Sequence, residues 1–408
     1  MGEKFTKQQW MVFIGACLFQ CALIGVLVNS TGVLLAQIRT EFGFALTRVS
    51  AFNTVKSVVC ALGGVALTSL FFKSKKWVFM LCNILLTILS YCLLVFGAEN
   101  QFIWYTAAVL NGFNACTVTV MVPYILNQWF PGNAGMVTGF AVAFSGLGGI
   151  VFNPITASLI GHFGWRWTIL ILSVVTVILG VAAIFLLFHN AAQENSTKRE
   201  QPDTAGPLDI STEAVPLKRI ILCALSLGAG CFVMQFSQYI TIFAQSVGYT
   251  LQVGAALTSL VMIGNVGGKL LFGFICDKVG AYKAMVFAMA AIALGSLLYA
   301  VFNQFLPVLY IASILYGMVY SLVMISPSRC CIQTYGAEGV KKYMGIHTSV
   351  NGIIQTVSSM SVGILYDTTG GFEAELVIGL VLLGISSAAA LLLYSMGKCS
   401  APACSAAQ

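Results

Sequence analysis

Two lysines lie inside long apolar stretches of the sequence. Lys269 belongs to the run VMIGNVGGKLLFGF, and Asn265 precedes it by one helical turn on the same face. A lysine at the centre of a hydrocarbon layer costs about 2.5–3.5 kcal/mol on insertion scales, so it usually faces a cavity or a partner. We therefore predict that Lys269 binds an anion and that Asn265 hydrogen-bonds the same ligand. The alternatives are snorkelling and an internal hydrogen bond to a backbone carbonyl.

The other lysine, Lys56, is expected at a shallower depth. It stands about 14 residues from the more basic end of its stretch, which places it about 9 Å from the opposite boundary of a ~30 Å hydrocarbon core. From that depth the ammonium group can snorkel into water. Lys56 is thus either a structural lysine or an attractor of anions in the outer vestibule.

Several uncharged polar residues also interrupt the apolar stretches. His347 and Asn351 share one helical face, and His347 is the only histidine expected well inside a membrane segment. The remaining candidates are Asn29, Gln235, Gln238, Tyr239, Tyr316 and Tyr320. Each could orient a bound carboxylate or polar ligand. Polar side chains also join helices inside membranes, so both interpretations stay open.

The acidic residues, thirteen in all, map to loops, termini or helix ends. We therefore expect no carboxylate deep in the membrane, which argues against a cation-binding pocket and a carboxylate proton relay. The sequence also offers no acid pair for hydrolysis, so no catalytic residue is predicted. The thirteen cysteines form no C-x-x-C pair and are interpreted as small core residues. No metal site and no cofactor are expected, because no cluster of His, Cys and carboxylate is dense enough in the sequence.

The elements that must hold these residues are membrane helices. The chain of 408 residues is 59% hydrophobic and 8% charged, whereas soluble domains are about one-quarter charged. About twelve apolar segments are each long enough to cross a hydrocarbon core of ~30 Å. They lie at 10–37, 47–71, 77–97, 102–127, 134–161, 165–189, 218–245, 252–275, 282–303, 307–332, 342–366 and 373–396. We predict an all-α membrane protein embedded in a lipid bilayer.

The distribution of positive charge predicts the orientation. Most lysines and arginines, from Lys4 to Lys398, fall at alternate ends of the segments, and the opposite ends receive Arg39, Arg48 and Arg166. The positive-inside rule then places both termini in the cytoplasm, in a multi-pass protein of the cell membrane. Because this rule explains the net charge of +7, a nucleic-acid partner is not expected.

One long polar insertion divides the segments six and six. It is rich in Ser, Thr, Pro and charged residues, which is the composition of a solvated linker. We predict an N-terminal six-helix bundle at 1–189, a cytoplasmic linker at 190–217 and a C-terminal six-helix bundle at 218–408. Two pseudo-symmetric halves would place a ligand site between them at mid-membrane depth.

Three motifs resemble those of a known family. The stretch GFICDKVGAYK after the eighth segment resembles the pattern G-x-x-x-D-[RK]-x-G-x-[RK]-[RK] of the major facilitator superfamily, less one basic residue. GWRW lies where many members carry a similar motif, and GILYDTTGGFEAE is similar to a stretch of the branch with monocarboxylate transporters and oxalate/formate antiporters. The resemblance implies that fold. It also implies a gating motif that holds Asp277 near two lysines, with the residues Gly273, Asp277, Lys278, Gly280 and Lys283.

The branch also implies roles for single positions. Its members carry a basic residue on the eighth helix just before the motif, and Lys269 occupies that position. Proton-coupled members have an aspartate where Asn265 stands, so the resemblance favours exchange or facilitated movement, with His347 as the remaining proton carrier. The antiporters have a second cation where Asn351 stands, which favours a monoanion here.

These observations together predict a secondary active transporter for a small organic anion, such as a monocarboxylate. It would act as an antiporter or facilitator by alternating access. We expect a monomer with a small-molecule anion as its partner. The alternatives are an exporter of drugs or neutral solutes and a membrane sensor that binds a ligand without moving it.

Overall fold

The structure is a computed structural model that describes residues 5–130, 134–189 and 216–399. Within these ranges the chain is helical and contains no β-strand. The α-helices are α1 (Lys7–Gln20), α2 (Thr31–Phe42), α3 (Leu46–Lys73), α4 (Lys76–Gly97), α5 (Gln101–Trp129), α6 (Ala134–Phe188), α7 (Leu217–Met234), α8 (Ile240–Ser246), α9 (Leu251–Val279), α10 (Ala281–Val301), α11 (Leu306–Gly317), α12 (Val319–Met324), α13 (Ser326–Thr369) and α14 (Glu373–Cys399). The all-α prediction is therefore confirmed.

Each predicted membrane segment falls on helix, although several helices depart from one span each. The first segment is built from α1, a π-helix at Cys21–Val28 and α2. Helix α6 covers the fifth and sixth segments, and Gly164, with φ of 75°, interrupts its helical backbone between them. By length and composition, eight helical stretches in the described ranges could cross a membrane.

The chain forms two compact units. Unit 1 comprises Met1–Leu208 and Tyr249–Ser259, and unit 2 comprises Asp209–Gly248 and Leu260–Gln408. The predicted boundaries of the two bundles stay a prediction, and residues 190–215 of the predicted linker lie outside the described ranges.

The core of unit 1 is built from the apolar faces of four helices. Phe19 of α1, Met80 of α4, Leu126 of α5 and Ala183 of α6 all belong to one buried cluster. Burial of these side chains holds the four helices together by close van der Waals packing, as expected of a helix bundle in lipid.

Small residues allow two helices of unit 1 to approach closely. A Cβ placed on Gly25 would lie 2.8 Å from the Cα of Gly148, and one placed on Gly148 would lie 2.6 Å from the Cα of Gly25. Both distances are shorter than real Cβ contacts, so only glycine fits on each side. Gly148 lies in the stretch FSGLGG, whose small residues thus permit this close packing.

The GWRW motif joins the end of α2 to α6. Trp165 donates its indole N–H to Glu41 Oε2 at 2.6 Å, and Arg166 pairs with Glu41 Oε1 at 2.8 Å. The guanidinium carbon of Arg166 also lies 4.4 Å from the centre of the Trp165 ring. One carboxylate thus holds both motif side chains, which fixes this corner of unit 1.

Candidate functional site

Close helix packing positions Lys269 on α9. A Cβ on Gly264 would overlap the carbonyl oxygen of Ile314 in α11, and a Cβ on Gly317 would overlap the carbonyl oxygen of Val261 in α9. The two backbones therefore touch about one helical turn before Lys269. Such contact between small residues fixes the rotation of α9, and with it the direction of the lysine.

Lys269 and Asn265 form a pair of groups with unused hydrogen-bonding capacity. Lys269 is half-buried, and in the part of the chain that the structure describes no hydrogen bond or ion pair joins its ammonium group to another side chain. Asn265 is 4% exposed, its Nδ2 lies 3.7 Å from the sulfur of Met262, and its Oδ1 has no partner. One turn of α9 thus offers a cation and an amide to a ligand.

Lys56 is on α3 of unit 1, whereas Lys269 and Asn265 belong to unit 2. Its side chain is half-buried, and its backbone carbonyl packs against Gly112 of α5. The close approach of α3 to α5 at this point requires glycine, because a Cβ there would lie 2.8 Å from the Lys56 oxygen. Its predicted role as an attractor of anions stays a prediction.

The helix of the seventh segment is broken at the predicted candidates. Helix α7 ends at Met234, a 3-10 helix covers Gln235–Gln238, and α8 begins at Ile240. In lipid a broken helix must have its freed backbone groups satisfied by other parts of the protein. Three hydroxyls donate to the carbonyl oxygens at the end of α7: Ser358 to Phe232 at 2.7 Å, Tyr316 to Val233, and Ser237 to Met234 at 2.6 Å.

These bonds assign structural contacts to several of the predicted ligand residues. The Tyr316 hydroxyl is committed to the α7 carbonyl, and the Tyr320 hydroxyl lies 3.2 Å from Ser237 Oγ. Tyr239 and Gln235 are buried, and Gln238 is half-buried. The broken helix therefore contacts the hydroxyl groups of Tyr316 and Tyr320. Discontinuous helices of this kind occur at the substrate sites of transporters.

Glu375 is a carboxylate whose side chain is buried in unit 2. It lies in the first turn of α14, at a helix end as predicted, but it is only 3% exposed. Ser361 donates to its Oε2 at 3.4 Å, and its Oε1 has no partner. With Tyr316, Ser296 and Phe236 it lines a small pocket inside unit 2. Glu375 therefore lies at a helix end, as expected, while its side chain is buried within its own bundle.

His347 lies in a buried cluster of soft ligands rather than in an isolated polar stripe. It is 1% exposed, its Nε2 pairs with the Tyr335 hydroxyl at 2.8 Å, and its Nδ1 has no partner. A ring nitrogen of His347 and the sulfurs of Cys223 and Cys331 all lie within 4.8 Å of one another. The fold thus joins three possible metal ligands that are distant in sequence, and the expected absence of a metal site stays a prediction.

The two other asparagine candidates differ in their surroundings. Asn29 donates its Nδ2 to the carbonyl oxygen of Ser145 at 2.7 Å, so it joins the first segment to α6. Asn351 on α13 keeps a buried Oδ1 without a hydrogen-bond partner. Asn29 thus makes the helix-joining contact that was left open as an alternative, whereas Asn351 retains the capacity to bind a ligand.

The predicted gating motif forms the turn between α9 and α10. Gly280 has φ of 87°, which favours glycine, and Gln333 Oε1 accepts from the backbone N–H that follows it, at 2.9 Å. Asp277 pairs with Arg329 of α13 at 3.5 Å, instead of with the nearby lysines of the motif. Lys278 lies 4.2 Å from the ring centre of Phe274, Lys283 lies 4.8 Å from that of Tyr394, and Gly273 has open space around it.

Comparisons with known proteins agree with the helical architecture. The model of the Major Facilitator Superfamily matches residues 17–359 and 243–396. The structure is similar to that of the nucleoside transporter NupG, with a TM-score of 0.70 at 16% identity, over 96% of this chain and 100% of that one. At this identity the likeness concerns the fold.

Curated relatives are distant in sequence. The chain is 22% identical to monocarboxylate transporter 13 of Bos taurus over 375 residues, which are 90% of this chain and 85% of that protein. It is 27% identical to the probable transporter MCH2 of Saccharomyces cerevisiae over 180 residues, which are 44% of this chain and 37% of that protein.

Proposed function

We propose that this chain, which belongs to the Major Facilitator Superfamily and is a multi-pass membrane protein, moves a small organic monoanion across the membrane. The observation that carries the proposal is Lys269, a half-buried ammonium group without an ion-pair partner among the described residues. A cation inside a membrane helix is costly unless a partner compensates it. A carboxylate bound beside Asn265 would supply that partner.

Two features support a monoanion. Lysine is a point charge on a flexible stem, so it suits one carboxylate without requiring the two-pronged geometry of arginine. The position on α13 that would carry a second cation holds Asn351, which is uncharged. The name of the bovine relative, monocarboxylate transporter 13, agrees with the same substrate class.

The transport mode follows from the groups beside Lys269. Asn265 cannot take up a proton, so α9 carries the substrate charge without a titratable neighbour one turn away. We therefore propose exchange of anions or facilitated movement by alternating access. The proposed setting is the cell membrane, with both termini in the cytoplasm and a monomer as the working unit.

The decisive experiment is uptake of labelled monocarboxylates such as lactate, pyruvate and formate into proteoliposomes. Lys269→Ala should abolish uptake while the protein stays folded, because the change removes the ligand and an insertion cost of about 2.5–3.5 kcal/mol at once. Lys269→Arg should keep part of the activity, since the charge persists while its shape changes. Lys75→Ala, at an exposed loop lysine, is the matched control and should behave like the parent protein.

Two results would contradict the proposal. If Lys269→Met transports these anions as well as the parent, the charge has no role in binding, and an exporter of drugs or neutral solutes is the better account. If the parent binds a monocarboxylate but gives no flux in sealed vesicles, the protein is a sensor.

A further inference from the structure

We propose that unit 2 contains a zinc site formed by Cys223, Cys331 and His347. The three ligand atoms lie within 4.8 Å of one another, and all three residues are buried. Cys223 is on α7, whereas both other residues are on α13. Sixteen positions of straight helix would separate Cys331 from His347 by about 24 Å, so the chain reverses direction between them and returns the histidine to the cysteines.

The spacing of the ligands is close to that of a metal complex. Zinc binds sulfur at about 2.3 Å and nitrogen at about 2.0–2.1 Å, which puts two sulfurs of a tetrahedral site about 3.8 Å apart. Ligand atoms already within 4.8 Å reach such distances by side-chain rotation, without a change of fold. Hydroxyl groups of Thr334 and Tyr335 lie beside the cluster, and Thr334 Oγ1 is 3.9 Å from the sulfur of Cys223. The Thr334 hydroxyl, or water, can complete a fourth position.

Charge favours Zn²⁺ over a monovalent soft ion. On binding, the two thiols release two protons, and two thiolates with a neutral imidazole then balance the two positive charges of the metal. The complex is therefore neutral, which suits a buried position where a net charge is costly. Cu⁺ with the same ligands would leave one uncompensated negative charge.

The histidine already has the second contact expected of a metal ligand. Ligating histidines usually bind another group through their second nitrogen, which fixes the ring and its tautomer. Here the Tyr335 hydroxyl holds Nε2 at 2.8 Å, the two rings stack at 5.7 Å between centres, and Nδ1 has no protein partner. A buried nitrogen without a partner is costly, and a metal ion bound at Nδ1 would satisfy it while Tyr335 stays on Nε2.

Such a site would join α7 to both arms of α13 at one end of unit 2. Its zinc would add stability to the folded state, because a ligand that binds only the folded protein shifts the folding equilibrium. The proposal is independent of transport, and every readout below uses the purified full-length chain.

The first test measures zinc content and cobalt spectra. The parent protein, purified under reducing conditions, should contain about one zinc ion per chain, and loading with Co²⁺ should produce thiolate-to-metal charge-transfer bands. Cys223→Ser and Cys331→Ser should lose both signals. Cys231→Ser, at another buried cysteine of α7, should keep them and serves as the matched control.

Two further measurements separate a metal site from a packing defect. Tyr335→Phe should weaken zinc affinity by about 10- to 100-fold without removing the metal ligands. A zinc chelator should lower the melting temperature of the parent and of Cys231→Ser, but it should leave that of Cys223→Ser unchanged. The melting temperature of each protein is compared with and without chelator, so the variants need not be equally stable.

Three outcomes overturn the proposal. The first is a parent protein that holds no zinc and shows no cobalt bands after loading. The second is a Cys223→Ser variant that binds zinc as tightly as Cys231→Ser. The third is a parent that takes up no zinc but takes up Cu⁺ when reduced, or forms a Cys223–Cys331 disulfide when oxidised by air, as found by mass spectrometry.

Discussion

Glu375 is a buried carboxylate that could couple proton movement to transport. Its side chain is buried against Ser361 and Tyr316, in the first turn of α14. Lys269 and Asn265, the proposed ligands of the anion, lie on α9 instead. The proposed exchange mechanism requires that Glu375 has a structural role and takes no part in coupling.

Replacement of Glu375 by glutamine tests this separation. Glutamine keeps the shape and can accept the hydrogen bond from Ser361, so we expect Glu375→Gln to retain counterflow of labelled anion in proteoliposomes. We also expect that a pH gradient alone drives no accumulation in the parent. If it does, and if the accumulation disappears in Glu375→Gln but not in His347→Gln, the protein is a proton symporter and the exchange proposal is wrong.

At the scale of single elements, the broken seventh segment depends on side chains from other helices. Three consecutive carbonyl oxygens at the end of α7 accept from hydroxyl groups, among them the Tyr316 hydroxyl of α11. Hydrocarbon offers no replacement for such a donor. The break is therefore stable only in the assembled unit 2.

The Tyr316 contact gives a prediction about stability. Tyr316→Phe should lower the free energy of unfolding by about 1–3 kcal/mol, because it leaves a buried carbonyl oxygen with one bond fewer. Thermal unfolding in detergent measures the change. Tyr310→Phe alters a partly exposed tyrosine of the same helix and should cost little. Equal losses in the two variants would mean that the hydroxyl of Tyr316 does not support the break.

The helices themselves were predictable, whereas their breaks and buried clusters were not. Hydropathy and length predicted twelve segments that all fall on helix, and eight helical stretches of the described residues are long and apolar enough to cross a membrane. The same pattern could not show that Gln235–Gln238 leave the α-helical geometry, since their spacing also fits a regular helix. Nor could it show that Cys223 meets His347, or that Glu375 turns inward, because tertiary contacts decide both. Lys269 differs from these residues, because a charged residue within an apolar run can be recognised in the sequence without knowledge of its tertiary contacts.

At the scale of the whole molecule, the asymmetry of positive charge predicts which side each loop occupies. Arg48 donates to the carbonyl oxygens of Ala98 and Glu99, at the turn between α4 and α5. This turn belongs to the end with few basic residues, which the positive-inside rule places outside the cell. The polar segment that contains Thr204, outside the described residues, belongs to the cytoplasm on the same rule.

Cysteine labelling in intact cells tests the orientation. In a background without reactive native cysteines, Glu99→Cys should react with an impermeant reagent, because Glu99 is exposed at the turn that the positive-inside rule places outside. Thr204→Cys should react only after the membrane is opened. The opposite pattern would show that the predicted topology is inverted. Reaction of both residues in intact cells would mean either that the membrane is leaky or that one of the two loops is assigned to the wrong side.

The crossing of α9 and α11 limits the sequences that this protein can have. At Gly264 and Gly317 a single added carbon would meet backbone rather than a movable side chain. Every other amino acid carries that carbon, so neither position has a conservative replacement, and no change at one of them can make room for a change at the other. The helix that carries Lys269 can therefore accumulate substitutions along its remaining faces. The crossing that orients it cannot change by single substitutions at Gly264 or Gly317.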